Sequence, residues 1–443
     1  MRVIIVGAGA VGSYLADRLS NEGQDVVLIE SDPVRASQLQ DELDALVITG
    51  NGAARDVLEE AQVDRADLLI AVSDNDGANI LACRTASEMG VRKTVARVED
   101  PGLRSGLAEL GVNVVIDPGT SLADELLTLV HHEGLSEMIE FGNGELILTG
   151  GFVQPGAPIT MGPLYELRQT LGQGDWVAVA VVRNGETIVA HGPTTIGEGD
   201  HVLLMVTPDR EKVALDLLGA RPHQIRRVII LGSTRVARIT SAMMVKEGFE
   251  VAMVEGDHER CRRLAEMQAD VLTLCGDPTD PAVLTELDIG DKDAVLALTG
   301  WDEVNILGSL VAKALGASTV VSRVNRMSYV GLLSGVGIDA TVSSRIAAAN
   351  QILRFVRRGR IHSVATFTDT DAEAIELEIS STSKAIGKTL EELDLPTGSI
   401  VGGILRDGDA LVPRGSTSIR ERDHLIIFAL PEVIPEIEAL LVE

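Results

Sequence analysis

The chain has 443 residues, enough for several domains at about 100–200 residues each, and a composition 45% hydrophobic and 23% charged is that of a folded protein. Lys and Arg total 38 against 66 Asp and Glu, a net charge of −28, and aromatics make up 2%. A chain so acidic repels phosphate backbones and anionic lipid and lacks stacking platforms, which argues against nucleic acid or a membrane surface as partner.

The three cysteines, Cys83, Cys261 and Cys275, are dispersed and form no CxxC pair. A disulfide framework and a Cys-based zinc site are therefore not expected, and a reducing cytosol is. In chain order, residues 3–6 (VIIV) are a buried strand too short for the apolar core of a secretory signal. The strand leads into a glycine motif, after which Val11, Leu15 and Leu19 at helical spacing predict a helix that Gly23 ends. A second strand is predicted at 26–29, and Asp32-Pro33 has the form of an N-cap followed by a first helical residue. Further strands fall at 68–72 and 94–98, an alternation that predicts a parallel sheet with helices on both faces. An amphipathic helical segment, 121–132, separates this from a smaller unit. That unit has a short helix at 164–171, strands at 177–182 and 202–206, and turns at Asn184-Gly185 and 197–200. The uncharged run 146–165 has the length of a membrane span, but Gly150, Gly151, Gly156, Gly162, Pro155, Pro158 and Pro163 forbid a spanning helix. The protein is expected to be soluble.

The series then begins again. Gly7, Glu30 and Asp32 recur 225 residues later as Gly232, Glu255 and Asp257, while Asp76, Asn79 and Arg97 recur after 226 as Asp302, Asn305 and Arg323. Gly162 returns as Gly387, and Asp200-His201 as Asp423-His424. So small a drift marks a tandem duplication. The second helical segment is 344–357, and the second small unit has elements at 390–393, 401–405 and 425–428 with a turn at Asp407-Gly408. The expected domains are 1–120, a first nucleotide-binding lobe; 121–136, a crossover helix and linker; and 137–222, a first small lobe. Their repeats are 223–343, 344–360 and 361–443.

Gly7-Ala8-Gly9-Ala10-Val11-Gly12 is a GxGxxG between strand and helix. Its first glycine permits the turn, the second lets backbone approach a pyrophosphate at a helix N-terminus, and the third allows close packing of helix on strand. Glu30 closes the second strand, where a carboxylate accepts hydrogen bonds from a ribose diol and repels a 2′-phosphate. NAD(H) therefore fits better than its phosphorylated form, although ATP or ADP presents the same phosphates and ribose. The second copy reads Gly232-Ser233-Thr234-Arg235-Val236-Ala237, with Thr234 where bare backbone is needed. It is either a decayed site kept for its fold or a modified one in which Arg235 pairs with a phosphate, helped by Glu255 and Gly276-Asp277. Ser73-Asp74, and Thr299 in the repeat, follow a strand at the edge where ligands of open α/β sheets sit, and also suit helix capping. Arg97 and Arg323 end a strand at that edge, placed for a phosphate, a neighbouring subunit or an acidic side chain.

Chemistry is missing. His191 lies near a Gly-Pro turn, His131-His132 at a helix end, and His201 and His424 follow turn-forming aspartates. No metal motif and no GxSxG occurs. Arg354, Arg357, Arg358 and Arg360 form a basic cluster suited to a helix C-terminus or a partner.

These residues resemble the RCK (KTN) domain family. GAGAVG with Glu30, LLIAVSDNDGANILAC at 68–83, Arg97, and VAVVRNGETIVAHG and GEGDHVLLM in the small lobe carry the resemblance across essentially the whole chain. It implies an α/β protein of two tandem RCK domains, each a Rossmann-like doubly wound parallel-sheet N-lobe with a small α+β C-lobe. The order of lobes is similar to that of the peripheral cytosolic subunit of Trk-type potassium uptake systems. By that likeness the chain is a cytoplasmic regulator rather than an enzyme, assembled through its crossover helices into a ring, typically a tetramer. The ring would sit on the inner face of the cell membrane, docked on an integral potassium-translocating subunit of the TrkH/TrkG kind, and respond to NAD(H) or ATP/ADP. The −28 charge suits docking on basic cytoplasmic loops. Carried over by position, Gly7, Ala8, Gly9, Ala10, Val11, Gly12, Glu30, Ser73, Asp74 and Arg97 are nucleotide contacts. Gly232, Ser233, Thr234, Arg235, Val236, Glu255 and Thr299 are their weaker counterparts. The alternatives are an NAD-linked oxidoreductase and an RCK regulator of another channel or exchanger.

Overall fold

A strand with Val or Ile at every position from 3 to 6 has no polar face to turn to water, and it takes the middle of a sheet covered on both sides. The computed structural model describes residues 1–442 apart from 172–175, 222–223, 327–328, 330–332, 334–335, 357–360, 368–369 and 371. The first lobe runs β1 (Arg2–Val6), α1 (Ala10–Asn21), β2 (Asp25–Glu30), α2 (Pro33–Glu42), β3 (Leu46–Thr49), α3 (Arg55–Glu60), β4 (Leu68–Ala71), α4 (Asp76–Glu88), β5 (Lys93–Arg97) and β6 (Val114–Ile116). Its six strands are all parallel, in the order β3-β2-β1-β4-β5-β6, so the chain reverses direction across the sheet between β1 and β4. Open α/β sheets bind ligands at that reversal. Asp32 caps α2 as its sequence position implies, accepting the Val34 and Arg35 amides with Pro33 in the first turn.

After α5 (Pro118–His131) comes an antiparallel sheet of β7 (Glu137–Phe141), β8 (Leu146–Phe152), β9 (Trp176–Arg183), β10 (Glu186–Val189) and β11 (His201–Val206), with α6 (Leu164–Thr170) and α7 (Glu211–Leu218). The uncharged run 146–165 is β8, a loop with a short 3-10 turn at Pro158–Thr160, and the first residues of α6. No helix among the described residues is long and apolar enough to cross a membrane.

The second half repeats both sheets. Its parallel sheet comprises β12 (Arg227–Leu231), α8 (Arg235–Lys246), β13 (Glu250–Glu255), α9 (His258–Met267), β14 (Leu272–Cys275), α10 (Pro281–Thr285), β15 (Asp293–Ala297), α11 (Asp302–Ala314), β16 (Thr319–Arg323) and β17 (Ala340–Val342), ordered β14-β13-β12-β15-β16-β17. After α12 (Ser344–Val356) the last sheet holds β18 (Ile361–Thr366), β19 (Glu373–Glu378), β20 (Ser399–Arg406), β21 (Asp409–Leu411) and β22 (His424–Ala429), and the chain ends on α13 (Ile434–Val442). Its order β18-β19-β22-β20-β21 matches β7-β8-β11-β9-β10 strand for strand. The tandem duplication expected from the sequence is therefore present as two parallel and two antiparallel sheets.

The polypeptide folds as two compact units, Met1–Ser121 with Ser344–Val356, and Leu122–Ser343 with Arg357–Glu443. In the first, Ala348, Ala349, Ile352 and Leu353 of α12 enter the core formed by Val11, Leu15 and Leu19 of α1, and Arg345 lies over the Tyr14 ring. In the second, the His131 ring of α5 meets Phe249 at a tilt of 55°, ring centroids 5.3 Å apart. The two antiparallel sheets share one core in which Phe141, Leu148, Val179 and Met205 meet Phe367, Leu405, Ile426 and Phe428. Gly402 permits that approach, because a Cβ there would lie 2.7 Å from Val179.

One expectation is corrected. Cys261 and Cys275 are bonded as a disulfide, with Cα atoms 5.9 Å apart. The reason is topological: β14 lies parallel beside β13, so the crossover through α9 returns Cys275 beneath Cys261 within disulfide reach. Cys83 is free and buried.

Candidate functional site

The carboxyl ends of β1, β2, β4 and β5 bring Gly7–Gly12, Glu30, Ser73-Asp74 and Arg97 to one edge of the first sheet. The three glycines of the loop differ in why they are glycine. Gly7 has φ +95°, and a Cβ on it would lie 2.8 Å from the Ser73 backbone. A Cβ on Gly12 would overlap the Gly7 carbonyl oxygen. Gly9 is different: at φ −64° and ψ −172° any residue is allowed, and a Cβ would meet nothing within 4 Å. The fold does not require glycine at position 9.

Glu30 is tied to this loop. Its carboxylate accepts the Ala8 amide at 2.8 Å, the Asp32 amide at 2.9 Å and the Ser31 hydroxyl at 3.1 Å. Burial acts to raise its pKa, but the bonds from Asp32, Ala8 and Ser31 prevail and hold the carboxyl below its ordinary range. Arg35, one turn into α2, donates Nε to the Ala8 carbonyl at 2.6 Å. Sequence reasoning missed it, although its position just after Asp32-Pro33 was a signal.

Ser73 is held from below. Fully buried Asn79 accepts the Ser73 amide at 3.0 Å and its hydroxyl at 2.7 Å, and donates to the Ser73 and Arg97 carbonyls at 3.0 Å each. One side chain thus fixes the ends of β4 and β5 together. Asp76 accepts the amides of Glu99 and Asp100, setting the loop after β5. Of the roles open to Arg97, an ion pair with Glu99 is present. Asp74 is exposed at the mouth.

The second half keeps the frame and changes the surface. Gly232 has φ +96°, with its missing Cβ against Thr299, and the Asn305 carboxamide oxygen accepts the Thr299 amide and hydroxyl as Asn79 does for Ser73. Thr234 stands in Gly9's place, where its hydroxyl donates to the Leu298 carbonyl at 2.7 Å and caps α8 by accepting the Ala237 amide at 3.3 Å. Ser233 and Val236 are buried, as is Glu255, which accepts the Asp257 amide at 3.0 Å. A cavity of ≈ 480 Å³ opens beside Ser233 and Thr234, and the arginines lining it are Arg238, Arg260 and Arg263. Arg235, the cation singled out by sequence, is not in that lining.

His201 and His424 have structural partners. Asp200 bonds Arg183 and the Gly197 amide, and Asp423 bonds Arg406 and the Arg420 amide, so both aspartates lock turns. His201 contacts Ser136 at 2.7 Å and His424 contacts Glu376 at 2.9 Å. Among the described residues no group of His, Cys, Asp and Glu is placed to hold a metal. Of the arginine cluster, residues 357, 358 and 360 and the side chain of Arg354 lie outside the described residues.

Comparison with known proteins places these features in a family. The TrkA-N domain family matches residues 3–118 and 228–344, and the TrkA-C domain family matches 374–442. A Trk system potassium uptake protein TrkA of Azorhizobium caulinodans is 32% identical, covering 99% of this chain and 98% of that protein. A TrkA homolog of Archaeoglobus fulgidus is 34% identical over 99% of this chain and 100% of its own. Among solved structures, the GsuK RCK domain superposes with TM-score 0.59 at 19% identity, covering 99% of this chain and 94% of that one. The GsuK channel bound to NAD gives TM-score 0.59 at 19% identity, covering 99% and 78%. At such identity these structures speak for the fold alone.

Proposed function

This chain belongs to the TrkA family, and we propose that it is a cytoplasmic nucleotide-sensing subunit that regulates a membrane-embedded potassium uptake protein. The first crevice takes NAD(H) or ATP/ADP. The observation that carries this reading is Gly9, a glycine that neither backbone conformation nor packing demands, at the sheet's reversal point. Phosphates rest on the 8–10 backbone at the start of α1. The free lone pairs of Glu30 meet the ribose diol, and Ser73, oriented by Asn79, lies beside the turn. Kinship with proteins named for Trk potassium uptake supports regulation rather than hydride transfer.

Regulation follows from differential binding: a nucleotide shifts the assembly between two shapes only as far as it binds them unequally. The subunit works as a homo-oligomer, a tetrameric ring, on a TrkH/TrkG-like partner. Two measurements test the reading. Calorimetric titration with NADH, NAD, ATP and ADP counts sites per chain, and no binding by any of them overturns it. Deletion of the gene is expected to impair potassium uptake at low external potassium, and normal uptake counts against it.

A further inference from the structure

We propose that the crevice of the second half is a separate site for clustered phosphate groups, held by the side chains of Arg238, Arg260 and Arg263 rather than by a glycine loop. The two halves would then take chemically different ligands, and this site does not depend on occupancy of the first.

Four observations converge. Thr234 puts a β-branched side chain where a pyrophosphate would need bare backbone, and its hydroxyl is already engaged with Leu298. An anion entering here is therefore met by side chains. Three guanidinium groups line the ≈ 480 Å³ cavity and no carboxylate does, in a chain whose net charge is −28. That is a local field opposite to the global one.

The arginines are also organised. Arg238 donates Nη1 to the Ser233 carbonyl at 2.6 Å, which fixes its guanidinium beside the loop with further N–H groups to offer. Arg260 and Arg263 stand three residues apart on α9 and so share a face. The start of that helix is anchored twice, by Asp257 accepting the Arg260 amide at 3.0 Å and by the Cys261–Cys275 disulfide. Among the described residues the competing ion pair in the cluster is Arg263 with Glu259 at 3.2 Å, exposed on both sides and weak enough to yield to a polyanion. Planar forks of this kind recognise phosphate oxygens in pairs. Leu264 and the exposed Met267 supply an apolar wall next to the cations, suited to the ring of a nucleoside. The ligand class is a short polyphosphate chain, free or carried by a nucleoside.

The test titrates the full-length chain with inorganic tripolyphosphate and, separately, with ATP. The Arg260→Ala/Arg263→Ala variant is compared, with thermal unfolding to show that these exposed replacements leave the fold intact. Tripolyphosphate is expected to bind the parent chain and to lose about tenfold or more in affinity in the variant, while NADH binding to the first half is unchanged. Counting only the binding that the variant loses, ATP tighter than tripolyphosphate assigns the Met267 wall to a nucleoside, and equal affinity assigns the site to the phosphate chain alone. Failure of tripolyphosphate to bind the parent chain, or equal binding by the variant, overturns the proposal. Loss of NADH binding in the parent would count against the first-half reading and leave this one standing.

Discussion

The Glu30 carboxylate accepts the Ala8 amide at 2.8 Å, so the residue we propose for the ribose also sets the shape of the 7–12 loop. Replacing it removes two things together. Glu30→Ala is expected to weaken NADH by about tenfold or more and NADPH by less, because the 2′-phosphate no longer meets a like charge. Calorimetry with both cofactors decides, and equal losses remove the ribose assignment. The pH dependence has a definite sign. A carboxyl held below its ordinary 4.5 contributes stability above that pH and loses it as pH falls further, so the tether is intact near neutrality and fails on acidification.

Gly9 and Gly7 give opposite outcomes. Gly9→Val places its side chain in open space, so stability is expected to change by about 1 kcal/mol or less while nucleotide binding is abolished. Gly7→Val forces a β-branched residue to φ +95° against Ser73 and is expected to cost about 2–4 kcal/mol. Denaturant unfolding and nucleotide titration on both variants separate the binding glycine from the folding one.

Thiol counting tests the disulfide. Under non-reducing conditions no thiol of the native chain should react, because Cys83 is buried and burial pushes its pKa up to about 12. Reduction should expose two. Closing a loop with a sequence separation of 14 limits the unfolded chain, and Cys275→Ser is expected to lower stability by up to about 3 kcal/mol. Two reactive thiols before reduction would remove the bond.

Glu125 on α5 predicts a second pH effect of opposite sign. Burial pushes its carboxyl up to about 7. Between its ordinary 4.5 and about 7 the folded chain binds the proton more tightly than the unfolded chain, so stability falls as pH rises through that window. Glu125→Gln should flatten this part of the profile, measured by urea unfolding from pH 4.5 to 8. An unchanged slope places the titration elsewhere.

Much of the frame was legible because it rests on local pattern. GAGAVG between strand and helix, Asp32-Pro33, and the Asn-Gly and Asp-Gly turns each require a particular backbone. The structure bears this out: Asn184 and Asp407 have φ of 53° and 54°, with Gly185 and Gly408 following at positive φ. What stayed hidden depends on crossings between elements. Asn79 and Asn305 were visible as repeats, but their grip on neighbouring strand ends needed β4 beside β5 and β15 beside β16. Arg238 lies 22 residues before Arg260, and only the packing of α8 and α9 about the β12 turn makes them one cluster. Ala348, Ala349, Ile352 and Leu353 mark an apolar face in any reading, yet periodicity does not say which helix will meet it.

The answer, α1, carries a consequence for how such a chain arose. A half-length ancestor ending after the first small lobe would have lacked the helix that shields Val11, Leu15 and Leu19, and would have exposed its own crossover helix instead. Two such molecules lending each other that helix would have cured the defect in both. Joining two such copies in one chain would make that exchange permanent and let each crevice diverge from its sibling.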